Sequence, residues 1–173
     1  MHSSAVDGAA ALADYRKAMA LANQLAGLDP GSSNWHETMA AIHAKLGDFL
    51  RHQSQSVAAA DNYRESVAIA EKLVMADPQN QEPKYVLADA YFGLGEISSA
   101  RAEGSSQGRV ASLHEARSWY QRSSDEWRQI SRPVPVSSDG FAWGGSKAVT
   151  RALEGCEGAL AKLKNASPSS SLP

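Results

Sequence analysis

A single cysteine, Cys156, occurs in 173 residues. It excludes an intrachain disulfide and a multi-cysteine metal site, and agrees with a reducing compartment. Aromatic residues make up only 7%, too few for a typical β-sandwich core. No stretch approaches the roughly 18 consecutive apolar residues that a membrane-spanning helix needs. The opening residues lack the basic start and apolar run of a secretion signal. Neither sign of charge dominates, since 17 basic and 19 acidic side chains leave a formal net charge of −2. Without a basic stripe to neutralise phosphates, nucleic acid and membrane surfaces are not expected partners. The expectation is a soluble, cytoplasmic protein.

What the chain does have is an apolar content of 43%, enough for the core of one domain, and an internal repeat. Asp14-Tyr15-Arg16 returns as Asn62-Tyr63-Arg64 and Asp29-Pro30 as Asp77-Pro78, each 48 positions later. In the same frame Leu25 falls on Leu73, Met39 on Leu87, and Leu46-Gly47-Asp48 on Leu94-Gly95-Glu96. A third, partial copy from Glu115 to Tyr120 follows a polar, glycine-containing insertion at Glu103–Gly108, which reads as a loop.

Apolar residues recur at steps of three and four, the helical period. One stripe is Leu12, Tyr15, Met19, Ala22 and Leu25, and the next is Met39, Ile42, Leu46 and Phe49. Equivalent stripes through Tyr63, Leu94 and Tyr120 bring the count to five long helices. Asp-Pro ends helices because the residue before proline avoids the α region, and Ser32-Ser33-Asn34 offers caps for the next one. Past Ile130, Arg132-Pro133-Val134-Pro135 breaks helicity. A last amphipathic helix with Val149, Leu153, Cys156, Leu160 and Leu163 on one face is placed to cap the array.

The expected architecture is all-α: an α-solenoid of antiparallel helix hairpins with a C-terminal capping helix. Residues 1–8 are expected to be a disordered or vector-derived start, 9–131 the repeats, 132–145 a Pro/Gly crossover, 146–165 the capping helix and 166–173 a disordered tail. Trp119, Trp127 and Trp143 are expected to anchor the last helix by burying large aromatic area.

Proline after a long helix, the small residues Ala59 and Ala88, the aromatics Tyr63 and Tyr91, and Leu94-Gly95-Glu96 at a helix end resemble the tetratricopeptide repeat. The resemblance covers Leu12 to Ile130 and departs from that family in its period, which is roughly 34 residues there. The run from Asn62 to Leu73 is also similar to the C-terminal repeats of bacterial eukaryotic-like serine/threonine kinases and some nucleotide cyclases. The resemblance implies a protein–protein interaction or scaffolding module, a regulatory segment of a larger signalling protein rather than an enzyme. Its partner would be a protein or peptide, including an attached catalytic domain. Alternatives are a self-association module and a small-ligand sensor with a pocket between the final helix and the array.

In that family the first helix of each pair lines a groove, and the matching positions here are Asn34, Glu37, Lys45, Tyr85, Asp89 and Phe92. Tyr85 and Phe92 beside Glu37 and Asp89 favour an apolar or basic segment. The same charges also read as a solvated face and the aromatics as packing between repeats. Family members that clamp a terminal carboxylate use lysine, arginine and asparagine, so Glu37, Ala41, Tyr85 and Asp89 argue against that ligand. Leu12, Tyr15 and Met19 would be an unpartnered face if a preceding helix is missing, hence candidates for homodimer formation. His36, His43, His52 and His114 lack the spacing of a helical metal pair. Gly140–Lys147 lacks the Gly-Lys-Ser order of a phosphate loop. No metal, cofactor or catalytic residue is expected.

Overall fold

The computed structural model describes residues 3–131 and 145–166. Those residues form α1 (Ser3–Leu28), α2 (Ser33–His52), α3 (Ser56–Ala76), α4 (Glu82–Gly104), α5 (Arg109–Gln129) and α6 (Gly145–Ala166), with no strand among them. Helix α1 starts at Ser3, inside the stretch expected to be disordered. The run Ala9-Ala10-Ala11 directly follows that stretch, and the high helix propensity of alanine favours continuing the helix back through it. Helix α6 exceeds the expected 146–165 by one residue at either end. The crossover from Arg132 to Gly144, with Trp143, and the tail 167–173 lie outside the described residues.

Both Asp-Pro turns close in the same way. Asp29 N donates to Leu25 O at 3.0 Å and Ser32 N to Asp29 O at 3.2 Å; Asp77 N donates to Leu73 O at 2.9 Å and Asn80 N to Asp77 O at 3.2 Å. The expected side-chain cap at α2 is not formed, since Ser32 holds the N-cap position without a capping hydrogen bond. His36 Nδ1 approaches Ser32 O at 3.3 Å instead. At α4 the N-cap residue Gln81 likewise makes no side-chain cap; Glu82 N donates to Asn80 Oδ1 at 3.1 Å in the turn leading into the helix, and Pro83 sits in the first turn where its missing N–H costs nothing.

Each helix packs on the next in the chain, and α4 additionally touches α2 and α6, whereas α3 touches neither α1 nor α5. Helices α2, α4 and α6 therefore form one continuous row, with α1, α3 and α5 set against it separately. Two hairpins, α2–α3 and α4–α5, are held by the same contacts. Tyr63 OH donates to Asp48 Oδ1 at 2.7 Å and Ser66 Oγ to Ala40 O at 2.8 Å. In the second hairpin Tyr120 OH donates to Glu96 Oε1 at 2.8 Å and Ser123 Oγ to Ala88 O at 2.6 Å.

These bonds require close helix approach, and glycine supplies it. A Cβ placed on Gly47 would stand 2.7 Å from Cε1 of Tyr63, and one on Gly93 or Gly95 would fall on the ring of Tyr63 or Tyr120. Tyr63 is fully buried between α2 and α4. A buried phenol needs a polar partner for its hydroxyl, and Asp48, the residue after Gly47 on the neighbouring helix, supplies it.

Trp119 stacks on Tyr91 with ring centroids 5.8 Å apart, and Trp127 meets Tyr85 edge-on at 5.8 Å. Both tryptophans thus fasten α5 to α4. The α6 side of α5 is occupied by Leu113, Ala116 and Tyr120, packed with Cys156. Cys156 Sγ donates to Leu113 O at 3.0 Å.

Candidate partner-binding surface

The six groove positions expected from the repeat do not all reach solvent. Asn34 is exposed at the start of α2, with its carbonyl accepting from Thr38 Oγ1 at 2.9 Å. Glu37 is half-buried and its Oε1 accepts from Asn80 Nδ2 at 2.7 Å, tying α2 to the turn before α4. Lys45 is half-buried. Tyr85 and Asp89 are buried at 6% and 8% exposure, which corrects their assignment to an open groove. The reason is that α4 is enclosed by four neighbouring helices, and from Pro83 to Tyr91 every residue is buried. Phe92 is half-buried with its ring 5.7 Å from that of Tyr120, so it packs between α4 and α5.

The same face of α4 continues beyond Phe92. Tyr85, Asp89, Phe92, Glu96, Ser99 and Glu103 follow one another at steps of four and three, the repeat of a single helical face. Its C-terminal half lines a cavity of about 300 Å³ between α4, α5 and α6, where Glu96, Ser99 and Glu103 face Ala152, Gly155 and Ala159. The small side chains of α6 leave the space, and Arg109 joins the lining. Tyr120 also lines it; burial, and then the Glu96 carboxylate that accepts its proton, push its phenol pKa far up. The sequence signal for Glu96, Ser99 and Glu103 was the continuing stripe; what it could not show was that the first half is covered and the second is not.

Leu12, Tyr15 and Met19 are half-buried, and the Tyr15 ring lies 6.0 Å from that of Phe49 on α2. This stripe is spent on α2, which corrects its reading as an unpartnered face. Among its described side chains, the large apolar ones that α1 exposes are Leu21 at 56% and Leu28 at 82%.

Among the described residues, no group of three or more His, Cys, Asp or Glu side chains could hold a metal ion, and no helix is long and apolar enough to cross a membrane. A family model for the tetratricopeptide repeat matches residues 57–103, nearly all of α3 and α4 with the Asp77-Pro78 turn between them. No curated protein and no solved structure matches the chain. The chain is an all-α helical repeat fold with a tetratricopeptide-repeat match at its centre.

Proposed function

We propose that this chain is a partner-binding scaffold, a regulatory or docking segment of a larger signalling protein and not a catalyst. The observation that supports it best is the pair of hairpins built on identical tyrosine–carboxylate and serine–carbonyl contacts, around a segment that matches a repeat whose members generally bind proteins or peptides. We read the hairpins as copies of one long unit, with Gly47-Asp48 and Gly95-Glu96 at equivalent places. The signalling context rests on the resemblance of Asn62–Leu73 to kinase and cyclase repeats.

On this reading the partner contacts the row of α2, α4 and α6 at its two open places, the start of α2 at Asn34 and the cavity at Glu96 and Glu103, and not the covered stretch of α4 between them. At about 300 Å³ the cavity is at the lower limit of small-ligand sites and suits one inserted basic side chain better than a free metabolite. A photo-crosslinking residue introduced at Asn34 or Glu103 is expected to capture the same protein from cells of the source organism, whereas one at exposed Glu65 on α3 does not. Glu103→Lys should weaken that interaction by about tenfold. Capture from Glu65 alone would reject the row as the binding face.

A second reading, self-association, is favoured by one observation: α1 packs only on α2 while Leu21 and Leu28 stay open. Light scattering over a concentration series tests it. A dimer abolished by Leu21→Glu supports association through α1, and a monomer at all concentrations rejects it.

A further inference from the structure

The junctions α3–α4 and α5–α6 carry the same kind of groove. The first, about 380 Å³, is lined by Val57, Ala60 and Arg64 of α3 and by Ile97, Ala100 and Arg101 of α4. The second, about 470 Å³, is lined by Val110, His114 and Arg117 of α5 and by Leu160, Leu163 and Lys164 of α6. Their residues correspond in register. Ile97, Ala100 and Arg101 have the spacing of Leu160, Leu163 and Lys164, and Val57 and Ala60 that of His114 and Arg117. The frame is fixed by contacts as well, because Tyr63 lies against Gly93 where Tyr120 packs with Cys156, the same step along each pair.

Both grooves combine an apolar floor with cationic lining residues, Arg64 and Arg101 in the first and Arg117 and Lys164 in the second, whose paired carboxylates stand just outside the grooves. Ile97 is 6% exposed at the bottom of the first, while Val57 at its edge is 79% exposed, and Val110 of the second is 50% exposed. The arginines are held only by weak internal pairs. Arg64 Nη1 lies 3.0 Å from Asp61, Arg101 Nη1 lies 2.9 Å from Glu115, and Arg117 Nε lies 3.3 Å from Glu157 at an angle too poor for a hydrogen bond. All three pairs are solvent-exposed, and such pairs contribute at most about 1 kcal/mol each. An incoming carboxylate can replace Asp61 or Glu115 at little cost, and its apolar neighbour gains by covering valine and isoleucine.

We propose that these paired grooves dock an acidic segment of a partner protein, in which leucine-type side chains alternate with carboxylates. The aliphatic side chains enter the grooves and the carboxylates meet Arg64 and Arg101, then Arg117 and Lys164. Two grooves in the same register let one segment engage both, which raises its effective affinity without new kinds of contact. A nucleic acid fits less well, because the floors are aliphatic and the His114 imidazole is the one ring among the lining residues of the two grooves. This surface shares no lining residue with the cavity at Glu96 and Glu103, so it goes beyond the binding face proposed above.

The test is fluorescence anisotropy of the full chain with a labelled peptide of alternating Asp and Leu, against one of alternating Asp and Ser. The Asp-Leu peptide should bind and the Asp-Ser peptide should not. Val57→Asp, Arg101→Glu and Lys164→Glu should each weaken binding by about tenfold with unchanged melting. Asp61→Asn, which frees Arg64, should strengthen it, and Glu103→Lys should leave it unchanged. No binding of either peptide, equal binding of both, or displacement of the Asp-Leu peptide by single-stranded DNA at comparable concentration would overturn the proposal.

Discussion

Gly93→Ala is expected to destabilise the fold by about 2 kcal/mol, the opposite sign from what helix propensity alone dictates. In an open helix this change gains about 0.5–1 kcal/mol, because alanine restricts the unfolded chain and favours helical dihedrals. Here the new methyl group would fall on the Tyr63 ring, which is fully buried against Gly47 on its other side and has nowhere to retreat. Overpacking a close-packed interior costs about 1–3 kcal/mol, and Gly93, where an added Cβ would meet the closest neighbour of any described glycine, belongs at the top of that range. The net loss corresponds to a melting temperature lower by about 6 °C for a domain of this size. Gly158→Ala on α6, where nothing lies within 4 Å, should instead raise stability by about 0.5–1 kcal/mol. Urea melts of the two variants decide the matter. If Gly93→Ala also stabilises, Tyr63 is not clamped between α2 and α4. Combining Gly93→Ala with Tyr63→Leu should cost less than the sum of the two changes, since the smaller side chain leaves room for the methyl group.

How much of this was legible beforehand differs from element to element. The helices and Asp-Pro turns were readable because period and backbone chemistry are local. Burial along a stripe was not readable. Tyr85 looks like an open groove position until Trp127, far along the chain, is known to meet it edge-on. Glu103, on the same face, stays exposed because its neighbours on α6 are alanine and glycine. Periodicity tells which side of a helix is apolar, and only the three-dimensional arrangement tells what covers it. The same distinction moved the open side of α1 from Leu12, Tyr15 and Met19 to Leu21 and Leu28, since the stripe faces α2 and the rest of the helix does not. The grooves at Val57 and Val110 mix apolar and cationic residues from two helices each, so no single stretch of sequence carried their signal.

A cooperative loss of structure in alkali is the other large expected effect. Tyr63, Tyr91 and Tyr120 are all buried, and each donates its hydroxyl to a carboxylate, of Asp48, Glu71 and Glu96 respectively. Burial first, and then those carboxylates, push all three phenols well above their ordinary value of 10.0. A group whose folded-state pKa is raised stabilises the fold fully below its unfolded value and loses that stabilisation as pH rises. Above about pH 10 the unfolded chain therefore sheds three protons that the folded chain keeps, and stability should fall by about 1.4 kcal/mol per pH unit for each tyrosine. Together the three remove about 4 kcal/mol per unit, enough to exhaust a domain stability of about 5–10 kcal/mol, the lower part of the ordinary range, between about pH 11 and 12.5. Phenolate absorbance and far-UV circular dichroism, followed together against pH, should show the buried tyrosines ionising in the same step that loses the helices. Because these phenols are the clasps that hold α2 to α3, α3 to α4 and α4 to α5, ionising any one of them separates the helices that form the row and its grooves. Smooth ionisation of all five tyrosines near pH 10 with the helices intact would show that the hydroxyls are not the sealed donors described above.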